Sequence, residues 1–211
     1  MALEATHIRF ALDLKDIYEV RDVNAFVSGS VYPDSRYITG IDRLATHPED
    51  YLKDREFKRN DFRKGWHAHL LCDTVQGDLM KELLPTVKSG DGEEVWIERM
   101  AIKILQDIDD VKKFDIVKYL PCLAHVENPN GEDTEKMRGY NRIFQEMYAD
   151  PARVDITSLY EMWGLFGVGD ELRVKVKAKA EAFSADASIM LGVGKLYDAM
   201  LLEARSTLQT R

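Results

Sequence analysis

Residues 60–84 constrain the fold most. They carry an uninterrupted helical pattern with Phe62, Trp66, His69, Asp73 and Met80 along one face. That face is apolar at both ends and polar in the middle. His69 and Asp73 are four residues apart, so both side chains leave the same side of a helix, one turn apart. His67 lies about 200° around the helix from His69, nearly on the opposite face. An imidazole and a carboxylate stacked in this way can grip one metal ion or hydrogen-bond to each other. A helix with a polar centre and apolar ends must be covered by other helices. Pro85 and the Gly90-Asp91-Gly92 cluster are expected to end it.

The remaining segments read as helices too. Residues 4–19 are amphipathic, with His7 in the first turn on the stripe of Phe10, Ala11 and Leu14; Ile17 and Tyr18 extend the apolar side. Residues 22–33 form a small, apolar segment favoured as helix, capped by Asp22, with Gly29 and Ser30 permitting close backbone approach. Pro33 closes it, and Asp34 follows in a turn or as a cap. Residues 35–46 lead to His47, which Pro48 pushes out of the helical region. Pro48-Glu49-Asp50 reads as a helix first turn with Thr46 or His47 as its cap. Residues 51–64 are densely charged with alternating sign, a solvated stretch in which Arg55, Arg59 and Arg63 would make a stripe if helical. That stripe would point away from His69.

Further helices are expected over 93–111, with Val95, Trp96, Met100, Ile104 and Ile108 inward, and over 134–149, 155–167, 170–183 and 186–208. Thr134 is the expected cap of the first of the last four. The final helix has a stripe of Ile189, Val193, Leu196, Met200 and Leu201, and Gly192 and Gly194 loosen it or admit a neighbour. The clearest break is the turn-rich loop Glu127–Asp133. No strand pattern is strong enough to build a sheet. The expected fold is an all-α, single-domain helical bundle: residues 1–125 hold the metal-binding helical core and residues 134–211 pack on it.

The chain has 211 residues and a formal net charge of −8, which argues against a stable nucleic-acid complex. Cys72 and Cys122 do not form a disulfide framework and suggest a reducing compartment. The start has an early acid and no apolar core, unlike a signal peptide, and no run reaches the length of a membrane span. The expected location is the cytoplasm. A homo-oligomer is compatible with this composition.

Four of the five histidines lie in the first 70 residues. A divalent transition metal takes imidazole nitrogen and carboxylate oxygen in a compact set of about four ligands. The available set is His7, Asp34, His47, His69 and Asp73. Each is easily presented: a helix start, a turn after proline, a turn before proline, and two stacked helical positions. Cys72 is expected to be a buried hydrophobe, His125 and His67 to lie outside the set, and Arg36 and Lys64 to be surface cations.

The order His7, Pro33-Asp34, Thr46-His47, then Gly65 with His69-Leu-Leu-Cys-Asp73 resembles the zinc-dependent phospholipase C and S1/P1 nuclease superfamily over roughly residues 5–75. The resemblance implies an all-α fold and metal-assisted hydrolysis of a phosphate ester. It implies one ion held by Asp34, His47, His69 and Asp73, and a second reached by His7 with Asp73 as a bridge. It makes Asp34 the candidate catalytic carboxylate. The His-x-x-x-Glu helix of the fuller members has no counterpart here, so one or two ions, zinc first, are expected rather than three. An HD-type phosphohydrolase would need an adjacent His-Asp pair, which the chain lacks. A non-catalytic helical metal-binding or scaffold protein is the other class compatible with these residues.

Overall fold

The computed structural model describes residues 3–84, 87–88 and 90–209. Among them there are ten α-helices and no strand. Pro85, expected to end the long helix, lies outside the described residues, as do Met1 and Ala2 at the start.

The centre of the bundle is α5, Asp61–Leu83, capped by Asn60, whose side-chain oxygen accepts from the Arg63 amide at 2.8 Å. Against it lies α2, Val23–Val31, capped by Asp22. Gly29 and Gly65 make this approach close: a Cβ on Gly29 would overlap the Phe62 carbonyl, and one on Gly65 would overlap the Phe26 carbonyl. Only glycine permits two helices to meet backbone to backbone in this way. α1, Glu4–Leu14, packs across both. It is shorter than the 4–19 periodicity suggests. The chain turns after Leu14, and Ile17 ends 39 % exposed.

Two apolar cores flank α1. Phe10 and Leu14 join Phe62, Trp66, Leu71 and Met80 of α5 and Val193, Leu196 and Met200 of α10, Ala187–Gln209. Leu3 and Ile8 join Val27 and Val31 of α2, Met100 and Ile104 of α6, Glu93–Val111, and the aromatic residues of α7, Thr134–Met147, and α8, Ile156–Leu165. α9, Asp170–Ser184, closes this second core through Val176 and Ala180. Gly192 lets Leu84 sit against α10, whereas Gly194 faces open space.

The segment between α2 and α5 departs from the sequence reading. Tyr32–Ser35 is a 3-10 turn, followed by the single turns α3, Arg36–Thr39, and α4, Arg43–Thr46. Pro48-Glu49-Asp50 does not start an α-helix. Tyr51–Lys53 and Arg55–Lys58 are 3-10 turns, so the arginines at 55, 59 and 63 share no helix face. Short-range alternation of charge leaves too few apolar positions to hold a longer helix on the core. α7 is capped by Asp133 rather than Thr134: the Asp133 carboxylate accepts from the amides of Glu135 and Lys136. The loop before it docks on the first part of the chain. Glu132 bonds the Tyr32 hydroxyl, and Asn130 donates to Tyr32 at 2.6 Å and to the Ala45 carbonyl at 3.3 Å.

Candidate metal centre

His7, Asp34, His47, His69 and Asp73 come from four separate segments and meet between α1, α2, α5 and α6. His7 is on α1 and is fully enclosed, and His69 is buried in mid-α5. Asp34 sits in the 3-10 turn that continues α2, buried and making no cap bond. The turn or cap role expected for a Pro-Asp pair is therefore only half met: the backbone turns, and the carboxylate points inward. His47 has the non-helical backbone that Pro48 demands (φ −127°, ψ 66°). Its segment is tied to α5 by the Trp66 indole N–H, which donates to the Thr46 carbonyl at 2.7 Å.

The carboxylates and imidazoles face each other at a consistent spacing. Asp34 Oδ1 is 3.8 Å from His47 Nε2, and Asp34 Oδ2 is 3.9 Å from His69 Nε2. Asp73 Oδ2 is 3.8 Å from His47 Nε2 and 3.7 Å from His69 Nε2. The other oxygen, Asp73 Oδ1, faces His7 Nε2 at 3.7 Å. These distances are too long for hydrogen bonds. Two ligands at about 2.0–2.1 Å from one tetrahedral ion stand about 3.3 Å apart, only slightly closer. His7, Asp34 and His69 form one group able to hold an ion, and His47, His69 and Asp73 form another.

The outer nitrogens of two rings are fixed by hydrogen bonds, one to a backbone carbonyl and one to a side-chain hydroxyl. His69 Nδ1–H donates to the Ser30 carbonyl at 2.9 Å, leaving Nε2 as the lone-pair nitrogen toward the carboxylates. His47 Nδ1 bonds the Thr46 hydroxyl at 2.9 Å, and that hydroxyl donates to the Arg43 carbonyl at 3.3 Å. His47 Nε2 then also points inward. Because His69 offers a single nitrogen, it serves one ion. A second ion would rest on His7 and on Asp73 Oδ1.

The donor atoms themselves fit a metal. Asp34 Oδ1 and Oδ2, His69 Nε2 and both nitrogens of His7 are buried and make no hydrogen bond. Buried polar atoms are almost always paired, so a set of orphans around one point calls for a cation. The electrostatics agree. Burial holds the His7 imidazole down to about 3 and His47 to about 2, and holds His69 well below the ordinary range, so all three are neutral ligands. Burial, then the negative charge of Asp73, pushes Asp34 up to about 7. Burial acts the same way on Asp73, but surrounding positive charge, Lys103 included, outweighs it and holds that carboxyl well below the usual range.

A second layer sets α1. Asp107 of α6 accepts from the Thr6 amide at 2.9 Å and from the Tyr148 hydroxyl at 2.7 Å; Asp110 accepts from the Thr6 hydroxyl at 2.8 Å and from Arg9 at 2.6 Å. Leu3 provides no side-chain cap, so a carboxylate from another helix serves the N-terminus of α1 and positions His7 beside it.

The centre opens on a cavity of about 460 Å³ lined by Asp34, His47 and Asp73 and by four cations, Arg36, Arg43, Arg99 and Lys103. Arg36, expected at the surface, belongs to this wall, its guanidinium over the Tyr37 ring at 4.2 Å. Lys64 is elsewhere, bonded to Asp61 and the Glu19 carbonyl. His67 is outside the centre, its Nδ1 2.5 Å from the Tyr18 hydroxyl, and His125 bonds Glu127 at 3.2 Å. Cys72 is a buried thiol. Sequence reasoning missed Lys103. The available signal is the run Met100-Ala101-Ile102-Lys103-Ile104-Leu105, in which one charge interrupts five apolar residues.

No protein family, curated protein or solved structure matches the chain. Among the described residues no helix is long and apolar enough to cross a membrane.

Proposed function

We propose that this chain is a metal-dependent hydrolase of phosphate esters, of the phospholipase C and S1/P1 nuclease-like type, using zinc. The observation that carries the reading is the set of buried, unbonded donor atoms on Asp34, His69 and His7, of which Asp34 borders a cation-lined cavity. Three neutral imidazoles and two carboxylates suit a borderline ion such as zinc. Asp34, His47, His69 and Asp73 would hold one ion, and His7 with Asp73 would reach a second. Such an ion, when bound, lowers the pKa of water and neutralises charge on the ester.

The chain's own residues supply the rest. The Ser30 carbonyl and Thr46 hydroxyl keep the lone pairs of His69 and His47 aimed inward. Asp34 is the candidate proton acceptor, since its buried carboxylate faces the His47 and His69 imidazoles and borders the cavity by which an ester would enter. The arginines and the lysine of the cavity wall attract an anionic substrate and orient its oxygens. Cys72 and Cys122 are free thiols, which supports a reducing, cytoplasmic setting.

The test is elemental analysis of protein purified without added metal, followed by a panel of phosphomonoesters and phosphodiesters with Zn²⁺ and with Mn²⁺. Bound metal that is lost in His69→Ala, together with turnover of at least one ester, supports the reading. Metal-loaded protein that hydrolyses none of the panel is a scaffold rather than a hydrolase.

A further inference from the structure

Lys103 is the unusual residue of the cavity. It lies on α6 among Met100, Ile102 and Ile104 and is only 5 % exposed. Its ammonium makes no hydrogen bond among the described residues; its ion-pair partner is Asp73 Oδ1, at 4.0 Å. An ammonium has three donors and is costly to bury without acceptors. A structural lysine in such a place would be closed onto a carboxylate at hydrogen-bond distance. Here the head group instead borders the cavity beside the metal centre. Arg99 is one turn earlier on the same helix, so both cations project to the same side and line the same cavity.

We propose that Lys103, with Arg99, grips the phosphoryl oxygens of the substrate and makes the cavity selective for dianionic phosphate monoesters over diesters. The inference rests on the phosphoesterase reading and narrows its substrate class. Lys103 marks the buried end of the cavity, whereas Arg43 is exposed and Arg36 half-buried. A terminal phosphate can reach the ammonium with its unsubstituted oxygens and leave its one organic group toward Arg36 and Arg43. A diester would have to bury a second organic group against two cations. Four cations stand against Asp34, Asp73 and Asp91 in the wall, and bound metal adds positive charge, so two negative charges on the ligand are balanced better than one.

The experiment uses zinc-loaded full-length protein and two readouts. The first is the affinity for inorganic phosphate by calorimetric titration; the second is kcat/KM for a monoester and a diester with the same leaving group. Lys103→Met should weaken phosphate binding about ten- to a hundredfold with metal content unchanged, as expected for a lost charge-assisted bond, and Lys103→Arg should restore much of it. The wild type should favour the monoester, and Lys103→Met should narrow that preference. Should Lys103→Met lose metal or fold, Arg99→Gln decides, because Arg99 is half-buried on the same wall and should also weaken phosphate binding. Phosphate affinity within twofold of wild type in a metal-loaded Lys103→Met or, where that fails to fold, in Arg99→Gln overturns the inference. So does a wild type that prefers the diester. If wild type hydrolyses neither ester, the phosphoesterase reading falls, and the phosphate titration alone decides whether Lys103 forms an anion site.

Discussion

The imidazoles of His7 and His69 are stacked, their ring centroids 3.7 Å apart and their planes 14° from parallel. Two protonated rings cannot share that spacing without water between them, so the pair is built to be uncharged. Their nitrogens converge on the carboxylates instead of on each other.

This arrangement has a pH consequence. In the unfolded chain His7 takes a proton below its ordinary value of 6.5, whereas the folded chain holds it down to about 3. A folded pKa that is depressed means stability is whole above 6.5 and is lost as pH falls toward 3. Asp34 has the opposite sign, raised to about 7, so its share is present below 3.8 and lost as pH rises through 7. Comparing His7→Phe with wild type isolates the histidine. Without metal, the variant should gain on the wild type by roughly 1–2 kcal/mol between pH 6.5 and about pH 5, read from urea unfolding. An unchanged difference between the two pH values would mean that His7 protonates in the folded state.

The His69 and His67 pair separates site from scaffold. His69→Ala should abolish tight binding of metal, because it removes the nitrogen shared by both candidate groups. His67→Ala should leave metal content unchanged, since His67 faces Tyr18. Elemental analysis of both variants makes the comparison, and equal loss in the two would show that the centre is wrongly placed.

Metal should also hold the fold together. At a free concentration about a hundredfold above Kd, binding to the folded state adds about 2.7 kcal/mol of stability. Thermal melts with zinc and with a chelator should therefore differ by several degrees in the wild type. The difference should vanish in His69→Ala.

Glycines on α5 should respond in opposite ways. Gly65→Ala would drive a methyl into the Phe26 carbonyl and should cost more than about 3 kcal/mol, with metal affinity falling as α2 and the Ser30 carbonyl move away. Gly77 on the same helix faces open space, and Gly77→Ala should gain about 0.5–1 kcal/mol from helix propensity alone. Urea unfolding of both variants tests this contrast.

The long helices and the pairing of His69 with Asp73 were legible because each depends on spacing within one segment. Phe62, Trp66, His69 and Met80 are buried along α5, where the 3.6-residue period places them. The short turns between Ser35 and Asn60 were not, since no period of that length competes with tertiary contacts such as Trp66 to Thr46. Asp107 and Asp110 were opaque for a related reason. Their partners Thr6 and Arg9 are about a hundred residues away, and local sequence cannot distinguish a carboxylate that caps a remote helix from one in solvent. Lys103 was overlooked because a lysine on an amphipathic helix ordinarily reaches water.

The contact at Gly29 and Gly65 also acts as a gauge. It fixes the gap between α2 and α5, and that gap sets how far Asp34, at the end of α2, stands from His69, at the middle of α5. A gap set by backbone against backbone has little give, unlike one cushioned by side chains. The centre should therefore discriminate ions by radius, accepting one size of cation well and yielding little to accommodate another.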